Sequence, residues 1–109
     1  MTAVSAVSLQ QVQDLASGSD RPVLIDCYTP SCGPCAALAP VIDELADELS
    51  GQLTVQKVDV AAHPQVAKAY GVRGVPTLLL FGGGSLKASR TGAASKAQVL
   101  TWLAAQQAI

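Results

Sequence analysis

Hydrophobic and polar positions along the chain follow two different periods. Residues 4–7 are a short apolar-rich stretch that predicts an edge strand. Ser8 with Gln11 forms an S-x-x-Q capping pattern, Leu9, Val12, Leu15 and Ala16 then share one helical stripe, and Gly18 supplies a stop. Residues 23–28, VLIDCY, are apolar with almost no alternation, which predicts a strand buried on both faces. Asp26 within that strand is the anomaly. From Gly33 to Leu49 the helical period returns through Leu38, Val41, Ile42 and Leu45, with Pro40 inside it as an expected kink. Residues 53–60, LTVQKVDV, predict a strand that puts Lys57 on the face of Leu53 and Val55.

A short helix should start at His63-Pro64 and end at Gly71, because proline suits a first helical turn and glycine a stop. Residues 77–81, TLLLF, predict a strand that turns through Gly82-Gly83-Gly84 into a weaker one at 86–91. A second S-x-x-Q box, Ser95 and Gln98, opens a last helix with Val99, Leu100, Trp102 and Leu103. The order β-α-β-α-β-α-β-β-α describes one α/β domain over 1–109, a central mixed β-sheet flanked by helices.

Composition narrows the function classes. Half of the residues are hydrophobic and only 14% are charged, so a folded core is expected, built mostly from Ala, Val and Leu because just 4% are aromatic. Seven basic residues against eight acidic ones argue against a nucleic-acid partner, which needs a basic stripe. The acidic run Asp43, Glu44, Asp47 and Glu48 reads as a solvated helix face. The longest strongly apolar run, Val75 to Phe81, contains Pro76 and is too short to span a bilayer, so no membrane is expected. The start, MTAVSAVSLQ, lacks the basic and apolar regions of a leader, and the chain reads as cytoplasmic. With no heptad or excess apolar stripe, it also reads as a monomer.

The candidate chemistry sits where the buried strand hands over to the long helix, at Cys32-Gly33-Pro34-Cys35. Two intervening residues in a first helical turn let two sulfurs reach bonding distance. Cys32 faces the unpaired N–H groups and positive dipole end of the helix, which favour a thiolate, so it is the expected nucleophile. Cys35, one turn in, is the expected resolving thiol. A C-x-x-C is also half of a zinc site, but neither Cys27 nor His63 shows paired ligand spacing, and no metal is expected. Asp26 in a buried strand should have a raised pKa and serve as a proton acceptor for a nearby thiol, with Lys57 as its expected partner; a structural ion pair is the alternative. Cys27 reads as a small inert core residue, His63 as a solvent-facing turn residue, and Tyr70 and Trp102 as helix-packing residues.

These residues spell a family. The chain resembles thioredoxins over nearly its whole length, through VLIDCY, CGPC, Pro40, LTVQKVDV, YGVRGVPTLLLF and TGAASKAQVLTWL in order. The resemblance implies the thioredoxin fold and a protein-disulfide reductase that carries electrons through Cys32 and Cys35. Cys32 would attack a target disulfide, and Cys35 would resolve the mixed disulfide with help from Asp26. Val75-Pro76 would be a loop with a cis proline facing the cysteines and pairing with an extended target segment. Gly33, Gly74 and Gly92 would keep the surrounding surface open for a docking protein. An NADPH-dependent thioredoxin reductase would recharge the protein, which would hold no cofactor of its own.

The chain departs from the family at three positions around the motif. Ser31 stands where thioredoxins usually have tryptophan, Cys27 where they have phenylalanine, and Ala36 where a basic residue commonly follows the second cysteine. Tyr28 keeps the usual aromatic character two places after the buried Asp. Ser31 is the feature that favours a specialised exchanger (oxidase, isomerase or deglutathionylating). A binding subunit using the fold as a scaffold is the reading from another class, and retention of both cysteines and Asp26 argues against it.

Overall fold

A computed structural model describes residues 7–109. The elements are α1 (Leu9–Gly18), β1 (Val23–Tyr28), α2 (Gly33–Glu48), β2 (Thr54–Asp59), α3 (Pro64–Tyr70), β3 (Thr77–Gly82), β4 (Ser85–Thr91) and α4 (Lys96–Ala105). The expected strand at 4–7 lies, apart from Val7, outside the described residues. Val7 itself is buried and donates its N–H to the Lys57 carbonyl at 2.9 Å, on the flank of β2.

The four strands form a mixed sheet in the order β2-β1-β3-β4. β1 runs parallel to β2 through the α2 crossover, and β3 is antiparallel to both β1 and β4. β1 is therefore central, and its residues face two cores at once. Leu24 joins Leu38, Ile42 and Leu45 of α2 and Val99 and Leu103 of α4 on one face. Val23, Ile25 and Cys27 join Val12 and Ala16 of α1 and Val66 of α3 on the other. Two covered faces explain why VLIDCY does not alternate.

Local signals act where the sequence puts them. Ser8 and Ser95 each close a full capping box, with Gln11 and Gln98 reaching back to the cap backbone. α2 runs without interruption through Pro40. The three-glycine turn is tighter than expected. Gly82 still pairs with Ser85 as strand, and only Gly83 and Gly84 turn, with φ of +63° and +87°. Two positive φ values are the requirement of a two-residue hairpin whose twist matches its strands, and glycine meets it without steric cost. His63 is half-buried at the N-cap of α3 instead of facing solvent, and its side chain makes no capping bond. Tyr70 packs edge-on to Phe81 with ring centroids 5.0 Å apart, and Trp102 packs on the α2/α4 side, as helix-packing residues should.

Candidate active site

β1 ends at Tyr28 and α2 begins at Gly33, so the intervening loop delivers Cys32 to the N-cap of a 16-residue helix. Its N–H donates to the Thr29 carbonyl at 3.3 Å, which fixes the loop's last step. The Cys32 sulfur accepts the Cys35 N–H at 3.1 Å, one of the donors that the helix leaves without an internal partner. Cys32 and Cys35 are joined as a disulfide with their Cα atoms 5.2 Å apart. The two sulfurs differ in surroundings: Cys35 is buried, at 4% exposure, whereas Cys32 is half-buried between the exposed Ser31 and Gly33.

The opposite wall is the loop before β3. The Val75–Pro76 peptide is cis, and the Val75 carbonyl oxygen lies 3.8 Å from the Cys32 sulfur, within reach of its thiol in the reduced form. Two bonds hold this loop. The Thr77 hydroxyl donates to the Gly74 carbonyl at 2.6 Å, and the Gly92 N–H donates to the Pro76 carbonyl at 2.9 Å. Gly92 has φ +107°, a backbone that side chains resist, so its glycine is required by the bond it makes. A Cβ at Gly33 would meet open space, and one at Gly74 would touch only the Thr91 methyl at 3.7 Å. Pro34 is exposed in the first turn of α2. Thr77 escaped the sequence reading because a threonine in a strand is unremarkable; only its burial and its two hydroxyl contacts, to Gly74 and Thr91, mark it.

Below the sulfurs lies a pocket of about 210 Å³ lined by Asp26, Lys57, Tyr28, Cys32, Cys35 and Ala39, among others. Ala39 was legible in principle, since it sits one helical turn beyond Cys35. Asp26 is 1% exposed, and its Oδ1 atom has no hydrogen-bond partner among the described residues. Burial raises its pKa to about 6; Lys57 opposes the rise through space, and Asp43 adds to it. Lys57 is the register partner of Asp26 across the β1–β2 ladder. Its ammonium is not hydrogen-bonded to Asp26 Oδ1, and it lies over the Tyr28 ring, 5.1 Å from the centroid. Cys27 points to the opposite face, fully buried, and burial with the Asp26 charge behind it pushes its thiol up to about 12. Among the described residues, no group of three or more His, Cys, Asp or Glu side chains is placed to hold a metal ion. No helix among them is long and apolar enough to cross a membrane.

Comparison with known proteins agrees with this geometry. The thioredoxin family model matches residues 4–105. A thioredoxin of Acidithiobacillus ferridurans is 44% identical over 88 residues, covering 81% of this chain and 82% of that protein. Thioredoxin 1 of Nostoc sp. PCC 7120 is 42% identical over 96 residues, covering 88% of this chain and 90% of that one. A chloroplastic M-type thioredoxin of Zea mays is 45% identical over 87 residues, 80% of this chain but 52% of that longer protein.

Two outcomes follow from the electrostatics. The Asp26 carboxyl is harder to ionise folded than unfolded, so the folded state binds more protons between the ordinary carboxyl value of 3.8 and about 6 and loses stability as pH rises through that window. In chemical denaturation of the oxidised protein, Asp26→Asn should therefore gain on the parent by roughly 2–3 kcal/mol between pH 4 and pH 8, and a pH-independent difference would contradict the raised pKa. In the reduced native protein, a maleimide should modify Cys27 only after unfolding. Rapid labelling of all three thiols would contradict its burial.

Proposed function

The chain belongs to the thioredoxin family, and from that premise we propose how its residues divide the work of protein-disulfide reduction. The protein is a thiol–disulfide oxidoreductase whose redox-active pair is Cys32 and Cys35. The unequal placement of the two sulfurs carries the assignment of roles. Cys32 is the accessible one and sits where helix N–H groups favour a thiolate, so it attacks the target disulfide. A Cys32–target bond forms, and the target's own disulfide breaks to release one target thiolate, which takes a proton from solvent.

Resolution is the task of the buried sulfur. With its pKa near 6, Asp26 is mostly ionised at neutral pH yet basic enough to accept the Cys35 proton. The Cys35 thiolate then attacks the Cys32 sulfur, the intramolecular disulfide forms, and the second target sulfur departs as a thiolate. The target has gained two electrons, and the protein has lost them. Lys57 moderates the Asp26 charge from across the ladder.

Recognition falls to the rim. Ser31, Gly33 and Pro34 flank the accessible sulfur on its own loop, and Val75 faces it from the opposite wall that Gly74, Pro76 and Gly92 help to form, so a target strand laid along the 74–76 loop meets Cys32 directly. Partners are disulfide-containing proteins. Residues 1–109 act as one domain, a monomer in the cytoplasm, recharged by an NADPH-dependent thioredoxin reductase and with no cofactor of its own.

With a reduced variant and a disulfide-linked protein target, Cys35→Ser should lose turnover and accumulate a mixed disulfide through Cys32, detected by intact mass. Cys32→Ser should form none. A stable adduct at position 35 in place of 32 would reverse the roles. Ser31 should set partner choice without altering the chemistry: Ser31→Trp changes the relative rates toward two different protein targets several-fold. Equal rates for every target, with an unchanged reduction potential, would remove Ser31 from recognition.

A further inference from the structure

The Lys57 side chain raises a question that the roles above leave open. It is the register partner of Asp26, on the same face of the sheet and lining the same pocket, and Asp26 has a buried oxygen that no group among the described residues hydrogen-bonds. An ammonium so placed has every electrostatic reason to close on that carboxylate. It lies instead over the Tyr28 ring, at 5.1 Å from the centroid, where the negative face of the aromatic system attracts a cation. Tyr28 stands two residues beyond Asp26 on β1, so strand alternation puts ring and carboxyl on one face, with the ring at the strand's end.

We propose that Tyr28 is a positioning residue for the resolving step: its ring holds the Lys57 ammonium off the Asp26 carboxyl and keeps one carboxyl oxygen open for the Cys35 proton. This rests on the assignment of Asp26 as proton acceptor. An ammonium closed on Asp26 would occupy the acceptor oxygen and stabilise the carboxylate, making it a weaker base. Held at the ring, the same charge still acts on Asp26 through space but leaves the oxygen free.

Other charges facing this group do not supply the effect. From α2, Asp43 acts on Asp26 with the opposite sign to Lys57, and Cys35, Ala36 and Ala39, which line the shared pocket with the capping Cys32, bring no charge to it. From β3, the register partner is the apolar Leu78. Cys27, next in the strand, points to the other core with its thiol protonated. Asp59 is near Tyr28, and burial, Asp59 and Asp26 together keep the phenol protonated and the ring neutral. Among the described residues Lys57 is therefore the cation that opposes the effect of burial on the acceptor, and Tyr28 decides where it rests.

The test reads the Asp26 carboxyl directly by following its side-chain carbon in NMR titrations of the reduced full-length protein. Tyr28→Leu removes the ring, and the Asp26 midpoint should fall by about one pH unit as Lys57 closes in. Tyr28→Phe keeps a ring and should leave the midpoint in place, as should Tyr28→Trp. In a Lys57→Met background, Tyr28→Leu should no longer lower the midpoint. A fall of equal size in that background would overturn the proposal, because the ring would then be acting through burial alone. No fall in Tyr28→Leu would overturn it as well. Should that variant not fold, Tyr28→Met takes its place under the same expectations. The pH profile of mixed-disulfide resolution separates the two inferences. A midpoint that moves while the resolution profile stays put leaves Lys57 held by the ring but removes Asp26 from the resolving step.

Discussion

One carboxyl group buried in the central strand sets the terms for the site. The sheet places Asp26 between a parallel and an antiparallel neighbour, under α2, where it is almost wholly buried. Isolated in an apolar core it would simply be protonated; paired tightly it would be an inert ion. It is neither. Desolvation raises its pKa to about 6, and Lys57 across the ladder prevents a further rise. The result is a group that is ionised at neutral pH and still wants a proton. The folded state bears this as lost stability at neutral pH, the usual relation between an activated group and the core that holds it.

The strand-to-helix handover then solves a geometric problem with few residues. β1 fixes Asp26, four residues of loop follow Tyr28, and α2 opens with the two sulfurs over the carboxyl. Because Cys32 caps the helical turn that carries Cys35, their separation is set by backbone geometry and not by side-chain search. The opposite wall is built the same way: Thr77 and Gly92 tie the 74–76 loop to β3 and to the end of β4, so that a backbone carbonyl meets the outer sulfur. Both walls thus hang on β1 and β3, the adjacent central strands.

Most of this was legible in the residues. Unbroken apolar character in VLIDCY marked the central strand, the S-x-x-Q boxes marked two helix starts, and C-G-P-C at a strand–helix boundary marked the chemistry. Asp26 stood out because a charge in such a strand has to be explained. What the sequence could not show were relations between distant side chains. Lys57 faces the same core as Leu53 and Val55, but whether its ammonium bonds Asp26 or rests elsewhere depends on a ring two residues further along β1. Thr77 likewise gains its role from Gly74 and Thr91, one of them fourteen residues away. The glycine turn was read one residue too wide because composition does not reveal which glycine still pairs as strand.

The departures from the family at the rim bear on what sustains the outer thiolate. With alanine at position 36 there is no cation in the first turn of α2, and with serine at 31 there is no aromatic rim beside the sulfur. The charged side chain among those lining the pocket with a positive sign is Lys57, and it is committed to Tyr28 and Asp26. What remains at Cys32 is backbone: the Cys35 N–H at 3.1 Å and the open end of a 16-residue helix. Such support belongs to the fold and is present whenever the fold is, whereas an exposed lysine acts through a screened field that weakens within about 10 Å. Exchange chemistry secured by backbone donors leaves the rim free to vary, which is why the proposal gives Ser31 a part in partner choice and not in the reaction itself. On the proposed roles, the buried acceptor and the helix terminus carry the chemistry and the surface selects the partner, so both follow from one arrangement.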